Sequence, residues 1–225
     1  MPLALGQQTG GSTIRPASYT GIFGFKPTFD AIIPYEGVKT ISSSLDTIGL
    51  FARSVQDLEL LAQVFRIQEK SSDHDIRGAK FAIYKGPNWA DARRGTKSAI
   101  YQARKSLERA GALVEDLELP SAFDQLPAYV STICKAETRS SLLPEYRIDK
   151  SLLSPALRKM VEAEVSYADQ RKAEDESAAL RPQFDAIASA YAAIITPSAT
   201  GEAEGMNNPG SAVFSKDIQP HCECR

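Results

Sequence analysis

A glycine-rich segment near the start of the chain carries the sharpest chemical signal, and its sequence is Gly6-Gln-Gln-Thr-Gly-Gly-Ser-Thr-Ile-Arg-Pro-Ala17. Gly10 and Gly11 lack Cβ atoms, so the backbone before Ser12 can take strained angles and approach a ligand closely. Successive N–H groups of such a turn can converge and stabilise an oxyanion, which would make Ser12 a nucleophile toward a carbonyl. The same pattern also fits a plain loop, because a serine without a base is a weak nucleophile.

Four other features contain groups that can bind or react. Arg15 can hold a substrate carboxylate through two hydrogen bonds, although local bonds that support the loop are the favoured role. His221-Cys-Glu-Cys224 offers soft ligands, but a closed zinc site needs four ligands, usually from two separated pairs, so we expect no metal. Cys134 is typical of a core thiol in an apolar helix. His74 lies between two aspartates and is typical of a surface residue.

Composition narrows the class of protein. The chain has 225 residues, with 43% hydrophobic and 24% charged residues, which is typical of a folded globular protein. The 26 basic and 28 acidic residues give a net charge of −2, so we expect neither nucleic acid nor membrane as a partner. Three cysteines and the lack of a secretory signal argue against a disulfide framework and favour the cytoplasm.

The elements that must position the glycine-rich segment can be inferred from turn residues and periodicity. The first 53 residues predict short strands and turns. Ser54 and Asp57 fit the start of a helix, in which the serine hydroxyl binds a free backbone N–H. The apolar residues that follow recur at three- and four-residue steps and predict that this helix is amphipathic.

Later segments predict an α/β architecture. A strand over 79–84, a helix over 91–111 that stops at Gly111, and a strand over 113–119 form a strand–helix–strand unit with a parallel core. The pattern of 122–190 predicts helices, with breaks expected at the prolines, and that of 191–196 predicts a buried strand. The prolines are Pro127, Pro144, Pro155 and Pro182.

Three blocks together resemble the amidase signature family. They are Thr9-Gly-Gly-Ser-Thr-Ile-Arg-Pro-Ala17, Gly21-Ile-Phe-Gly-Phe-Lys-Pro-Thr28, and Ser44-Leu-Asp-Thr-Ile-Gly49 followed by Ala52-Arg-Ser-Val55. The blocks occur in the order and at the spacing of the family. The later strand–helix–strand unit and Ile194-Ile-Thr-Pro-Ser198 look like the portion that follows, so the resemblance covers residues 1 to about 214.

The resemblance implies hydrolysis of a carboxamide by a Ser–Ser–Lys triad, without metal or organic cofactor. Ser12 matches the nucleophile of the family. Thr9, Gly10 and Gly11 match the loop whose N–H groups, with that of Ser12, form the oxyanion hole. The implied fold is a partial amidase-signature fold, with a mixed β-sheet flanked by helices on both faces.

The chain also departs from the family pattern. The catalytic lysine and the bridging cis-serine of the family lie upstream of the nucleophile, whereas only eleven residues precede Ser12 here. Both partners are therefore expected to be missing from these residues. Lys26 matches a non-catalytic position, so we do not expect it to act as the base. Gln8 stands where many members carry an acidic residue, which leaves the substrate open.

These observations predict a partial amidase domain over residues 1–214, without the lysine segment and the C-terminal end, and an unstructured tail over residues 215–225. The leading hypothesis is an amidase that forms an acyl-enzyme on Ser12 with a small-molecule amide and is impaired in this chain. The alternatives are a non-catalytic remnant that acts by binding and the product of a truncated reading frame. An uncovered sheet edge is expected to allow self-association.

Overall fold

The computed structural model describes residues 2–32, 37–67, 75–205, 210, 211 and 213–216. His74, the His221–Cys224 cluster and residues 217–225 of the predicted tail lie outside the described residues, so the predictions for them stay predictions. No helix in the described part of the chain is both long enough and apolar enough to cross a membrane.

The described residues contain both strands and helices, and three α-helices follow one another between β5 and β6. The strands are β1 (Leu3–Gln8), β2 (Phe23–Phe25), β3 (Thr47–Ala52), β4 (Lys80–Tyr84), β5 (Leu113–Leu117) and β6 (Ala193–Ile195). The α-helices are α1 (Ile14–Thr20), α2 (Val55–Val64), α3 (Arg94–Arg109), α4 (Leu126–Asp149), α5 (Pro155–Glu162), α6 (Tyr167–Ala188) and α7 (Val213–Lys216). Short 3₁₀ helices cover Trp89–Asp91, Ser121–Gln125 and Lys150–Leu152.

The strands form two three-stranded sheets. One has the order β1-β3-β2 and is antiparallel, and the other has the order β5-β4-β6 and is parallel. The predicted α/β class is confirmed, and the parallel unit follows from the helix α3 between β4 and β5, since parallel neighbours need a crossover. The mixed sheet expected from the sequence is divided in the described residues into one antiparallel and one parallel sheet.

Helices cover both faces of the antiparallel sheet. Leu50 of β3 faces α2, where it packs with Leu58 and Leu61. The next residue, Phe51, points the opposite way and pairs with Gly24, which lies against Ala17 of α1. The helix α1 therefore lies on one face and α2 on the other, as expected.

The helix boundaries that the sequence predicts are confirmed where a capping group fixes them. The Ser54 hydroxyl accepts a hydrogen bond of 3.1 Å from the backbone N–H of Asp57, as the capping pattern requires. Gly111 has a φ of 91°, the left-handed angle that stops α3. Local side-chain and backbone chemistry is enough to set these ends.

The helical region does not break at all four prolines, which corrects the expectation. Pro127 and Pro155 stand in the first turns of α4 and α5, where a missing N–H is tolerated. Pro144 and Pro182, however, lie inside α4 and α6. Burial of apolar residues next to them, including Leu142 and Leu180, offsets the lost hydrogen bond.

The larger core lies between α4 and α6. Its buried members include Leu126, Val130 and Ile133 of α4 and Leu180 and Phe184 of α6. The partly buried Cys134 packs against this cluster, as its interpretation as a core thiol requires. The core joins the C-terminal helices to Leu45, and it therefore holds the segment that leads into β3.

We expect Leu126→Ala to lower the free energy of unfolding by about 2–5 kcal/mol, because Leu126 is fully buried and its removal leaves a cavity. The matched control is Leu152→Ala at a site that is 79% exposed, with an expected change within about 0.5 kcal/mol. Urea unfolding monitored by circular dichroism measures both. Equal losses in the two variants would contradict this description of the core.

Asp116 of β5 provides a pH-dependent contribution to stability. Its carboxylate lies 3.0 Å from Lys85 Nζ and 2.9 Å from Arg104 Nη2. The hydrogen bond from Lys85, helped by the nearby Arg104 charge, holds the pKa of Asp116 below its ordinary value. Because the folded pKa is depressed, this contribution is present above pH of about 4 and is lost as pH falls through the folded pKa.

We therefore expect Asp116→Asn to be less stable than the unaltered protein at pH 7, by less than about 1 kcal/mol because the pair is largely exposed. The difference should shrink toward zero as pH falls below the folded pKa, and it should also shrink in high salt. Glu118→Gln, at a neighbouring carboxylate, is the control. A difference that does not change with pH would refute the ion-pair explanation.

Candidate active site

The loop that contains Ser12 connects β1 to α1, and both ends of it are anchored in regular structure. Ser12 is exposed, whereas its neighbours Gly11 and Thr13 are buried. The Ser12 side chain is therefore accessible from solvent. Neither Gly10 nor Gly11 has a positive φ, so the loop does not use the left-handed backbone angles that glycine permits.

Gln8 fixes the backbone immediately after Ser12. Its side chain is only 3% exposed, and its Oε1 accepts hydrogen bonds from the backbone N–H groups of Thr13 at 2.9 Å and Ile14 at 3.1 Å. These N–H groups lie at the start of α1, where no partner exists within the helix. The sequence analysis took Gln8 only as a position that leaves the substrate open, and the structure shows that its amide oxygen caps α1.

Asp46 fixes the loop from the other side. This carboxylate is 1% exposed and accepts at least four hydrogen bonds. Two come from side chains, Thr9 Oγ1 to Oδ1 at 2.5 Å and Gln7 Nε2 to Oδ2 at 2.5 Å. Two more come from the backbone N–H groups of Ile41 and Ser42 to Oδ2, at 2.7 and 3.2 Å.

The role of Asp46 was missed at the level of the sequence, although it lies in the third block, Ser44-Leu-Asp-Thr-Ile-Gly49. The available signal was an acidic residue directly before a buried strand, since such a charge must find several donors. Its partners lie up to 39 positions away in sequence. Their identity therefore depended on the pairing of β1 with β3.

Close packing of β3 against the loop explains a glycine in this block. Gly49 pairs with Gly6 across the sheet, and a Cβ at Gly49 would lie 2.6 Å from Cγ2 of Thr13. Thr13 is fully buried, and its hydroxyl has no hydrogen-bond partner among the described residues. Contact with the glycine backbone therefore sets the position of the residue next to Ser12.

Two cationic side chains follow the loop. Lys26 donates a hydrogen bond of 2.9 Å from its ammonium to the carbonyl oxygen of Pro27. This bond is consistent with a structural rather than a catalytic position. Arg15 is partly buried, and its guanidinium forms no hydrogen bond or ion pair with the described residues. No contact therefore assigns Arg15 either to binding a substrate carboxylate or to supporting the loop.

The arrangement joins an exposed hydroxyl to a backbone segment that is fixed on both sides. Gln8 holds the residues after Ser12, and Asp46 holds Thr9 before it. Such fixation is what preorganised N–H donors require, because donors that must reorient during the reaction lose much of their effect. Within the described residues, the Ser12 hydroxyl has no hydrogen-bond partner that could act as its base. No group of three or more metal-ligating side chains lies in the described ranges.

The family model described as Amidase matches residues 1–219 of the chain. This match covers nearly the whole sequence and includes the loop, β3 and the parallel sheet. The chain therefore belongs to the amidase signature family, as the three sequence blocks indicated.

Curated relatives are similar over part of their length. The A subunit of glutamyl-tRNA(Gln) amidotransferase from Carboxydothermus hydrogenoformans is 37% identical over 155 residues, which cover 62% of this chain and 32% of the relative. The corresponding protein of Halothermothrix orenii is 34% identical over 156 residues, which cover 63% of this chain and 32% of the relative. The aligned part of this chain thus spans about a third of the length of these relatives.

Solved structures show the same fold. The glutamyl-tRNA(Gln) amidotransferase A subunit from Thermotoga maritima superposes with a TM-score of 0.75 at 25% identity, covering 98% of this chain and 53% of that one. A structure described as a vestigial protein complex that reveals the origins of an s-triazine catabolic enzyme gives 0.85 at 20% identity, with 98% and 54% covered. The chain thus corresponds to about half of the fold in these structures.

We expect Gly49→Ala to lower the free energy of unfolding by about 1–3 kcal/mol, because its Cβ meets the fully buried, β-branched Thr13. Gly6→Ala is a matched control on the paired strand. Its Cβ would meet the far end of the Phe51 ring, which can rotate, so a smaller loss is expected. Urea unfolding of both variants measures the difference, and equal losses would contradict the close contact between β3 and the loop.

Proposed function

We propose that the chain carries the nucleophile half of an amide-hydrolysing site, with Ser12 as the nucleophile. One observation supports this most directly. The exposed Ser12 ends a backbone segment that Gln8 and Asp46 hold on both sides, within the block that matches the amidase family. A plain surface loop has no need for a buried carboxylate with at least four hydrogen bonds.

In the proposed reaction, Ser12 Oγ attacks the carbonyl carbon of a carboxamide, and its proton passes to a base. The backbone N–H groups of Thr9, Gly10, Gly11 and Ser12 stabilise the oxyanion, where one lost donor typically costs about 2.7–4 kcal/mol in the barrier. The amide nitrogen takes a proton and leaves as ammonia or an amine. Water then attacks the ester on Ser12 and releases the acid, so no cofactor or metal takes part.

The base in this proposal is the family lysine, relayed through the cis-serine. Neither residue has a counterpart at the matching distance before Ser12 within these 225 residues. A positioned general base typically contributes 10²–10⁴-fold, so the chain by itself should turn over amides slowly or not at all. Lys26 is the residue to examine if turnover is fast, although its ammonium already binds the Pro27 carbonyl.

The substrate class proposed is a small-molecule amide. The partly buried Arg15 lies three residues after Ser12 and has no anionic partner among the described residues. Its guanidinium is suited to a substrate carboxylate, because it can offer two parallel N–H donors. Support of the loop through backbone contacts is the alternative role proposed for Arg15.

A binding function is the second candidate. Relatives are named as subunits of an amidotransferase, so contact with another polypeptide is a reasonable proposal for this chain. Leu5 is 59% exposed on β1, which is an edge strand of the antiparallel sheet among the described residues. Such an uncovered edge favours pairing with another chain, including self-association.

The experiment compares the purified chain with Ser12→Ala on simple aryl and alkyl amides. We expect rates near background in both, because the base is missing from these residues. Rapid turnover that Ser12→Ala abolishes would show that another residue, with Lys26 tested first through Lys26→Met, serves as base. Size-exclusion chromatography on the same samples tests association, which a stable monomer would contradict.

A further inference from the structure

The helix α4 holds the segment 39–44 that precedes Asp46. The Glu137 carboxylate of α4 accepts hydrogen bonds from Ser42 Oγ at 2.5 Å and from the backbone N–H of Ser44 at 3.1 Å. One turn further along α4, the Ser141 hydroxyl donates to the Thr40 carbonyl oxygen. The segment lies outside the strands, and contacts with α4 therefore contribute to its shape along with the backbone hydrogen bonds to Asp46.

Ser42 links this helix to Asp46. It donates its hydroxyl to Glu137 and its backbone N–H to Asp46 Oδ2, so one residue lies between two carboxylates. Both Ser42 and Asp46 are at most 1% exposed. A buried carboxylate is costly unless it is fully hydrogen-bonded, so the position of Ser42 cannot vary without a large penalty.

Asp46 also binds residues at the end of β1 and in the loop that contains Ser12. Its other bonds come from Gln7 at the end of β1 and Thr9 at the start of the loop. A continuous chain of hydrogen bonds therefore runs from Glu137 through Ser42 and Asp46 to Thr9, three residues before Ser12. Its inner links are withdrawn from water, where such bonds are stronger and more rigid.

We propose that Glu137 is a positioning residue for the loop around Ser12, acting through Ser42 and Asp46. It sets the placement of the N–H groups that would stabilise an oxyanion, without contact with the substrate. The proposal rests on the proposed function, since it assigns those N–H groups to catalysis. It also places part of the control of the loop on α4, more than 90 residues after Ser44 in the chain.

The test uses Ser12→Cys in the full chain, because a thiolate at position 12 reports the electrostatics of the loop without needing a base. Converging N–H donors should lower the pKa of the introduced thiol below its ordinary value of about 8.5. The pKa is the midpoint of the pH profile for alkylation by iodoacetamide. Peptide mapping by mass spectrometry separates position 12 from the native cysteines, which serve as an internal reference.

Glu137→Ala in this background should return the thiol pKa toward about 8.5 and slow alkylation at pH 7 by about threefold or more, since less thiolate is present. Glu137→Gln keeps an acceptor oxygen for Ser42 and should retain most of the lowered pKa. The matched control is Glu145→Ala on the same helix, where the carboxylate forms an exposed ion pair with Lys39 of the segment at 2.7 Å. The control should leave the thiol pKa unchanged.

All profiles are taken where urea unfolding shows each variant fully folded, so a loss of stability alone does not move the thiol pKa. A lowered pKa in Ser12→Cys that Glu137→Ala leaves unchanged would overturn the proposal while the proposed function stands. An ordinary pKa already in Ser12→Cys would instead contradict the oxyanion role of the loop. If Glu137→Ala fails to fold, Ser42→Ala removes the same link from the other side and must give the same return toward the ordinary pKa.

Discussion

The buried carboxylate of Asp46 is the interaction on which the arrangement around Ser12 depends. It is almost completely withdrawn from water and is stabilised there by at least four hydrogen-bond donors that surround it. Those donors come from β1, from the loop and from the segment before β3. Removal of any one would weaken the satisfaction of a buried charge, so the carboxylate constrains three parts of the chain at once.

The sheet pairing and the helical core keep the residues around Asp46 in place. The pairing of β1 with β3 brings Gln7 opposite Ile48 and so places the loop beside the turn that carries Asp46. The core between α4 and α6 holds Leu45, the neighbour of Asp46, against a large apolar cluster. Ile194 of β6 also packs against that cluster, so the helical core connects the parallel sheet to the segment that carries Asp46.

Membership of the amidase family and the geometry of the loop support each other, but they answer different questions. The family match spans residues 1–219 and so includes the three blocks. The geometry explains why residues other than the nucleophile occur in and beside those blocks: Gln8, just before the first block, caps α1, Gly49 makes room for Thr13, and Asp46 holds Thr9. About half of the corresponding fold in solved relatives lies beyond the part that this chain matches.

The sequence by itself determined the family, the α/β class, the nucleophile candidate and the helix ends fixed by Ser54 and Gly111, because these depend on local patterns. Only the tertiary structure decided that Pro144 and Pro182 stay within helices, since burial of apolar residues outweighs one lost hydrogen bond. It also decided which groups Gln8, Asp46 and Glu137 bind. Their partners lie from 5 to 95 positions away, and no local pattern states which donors will surround a carboxylate once strands pair and helices pack.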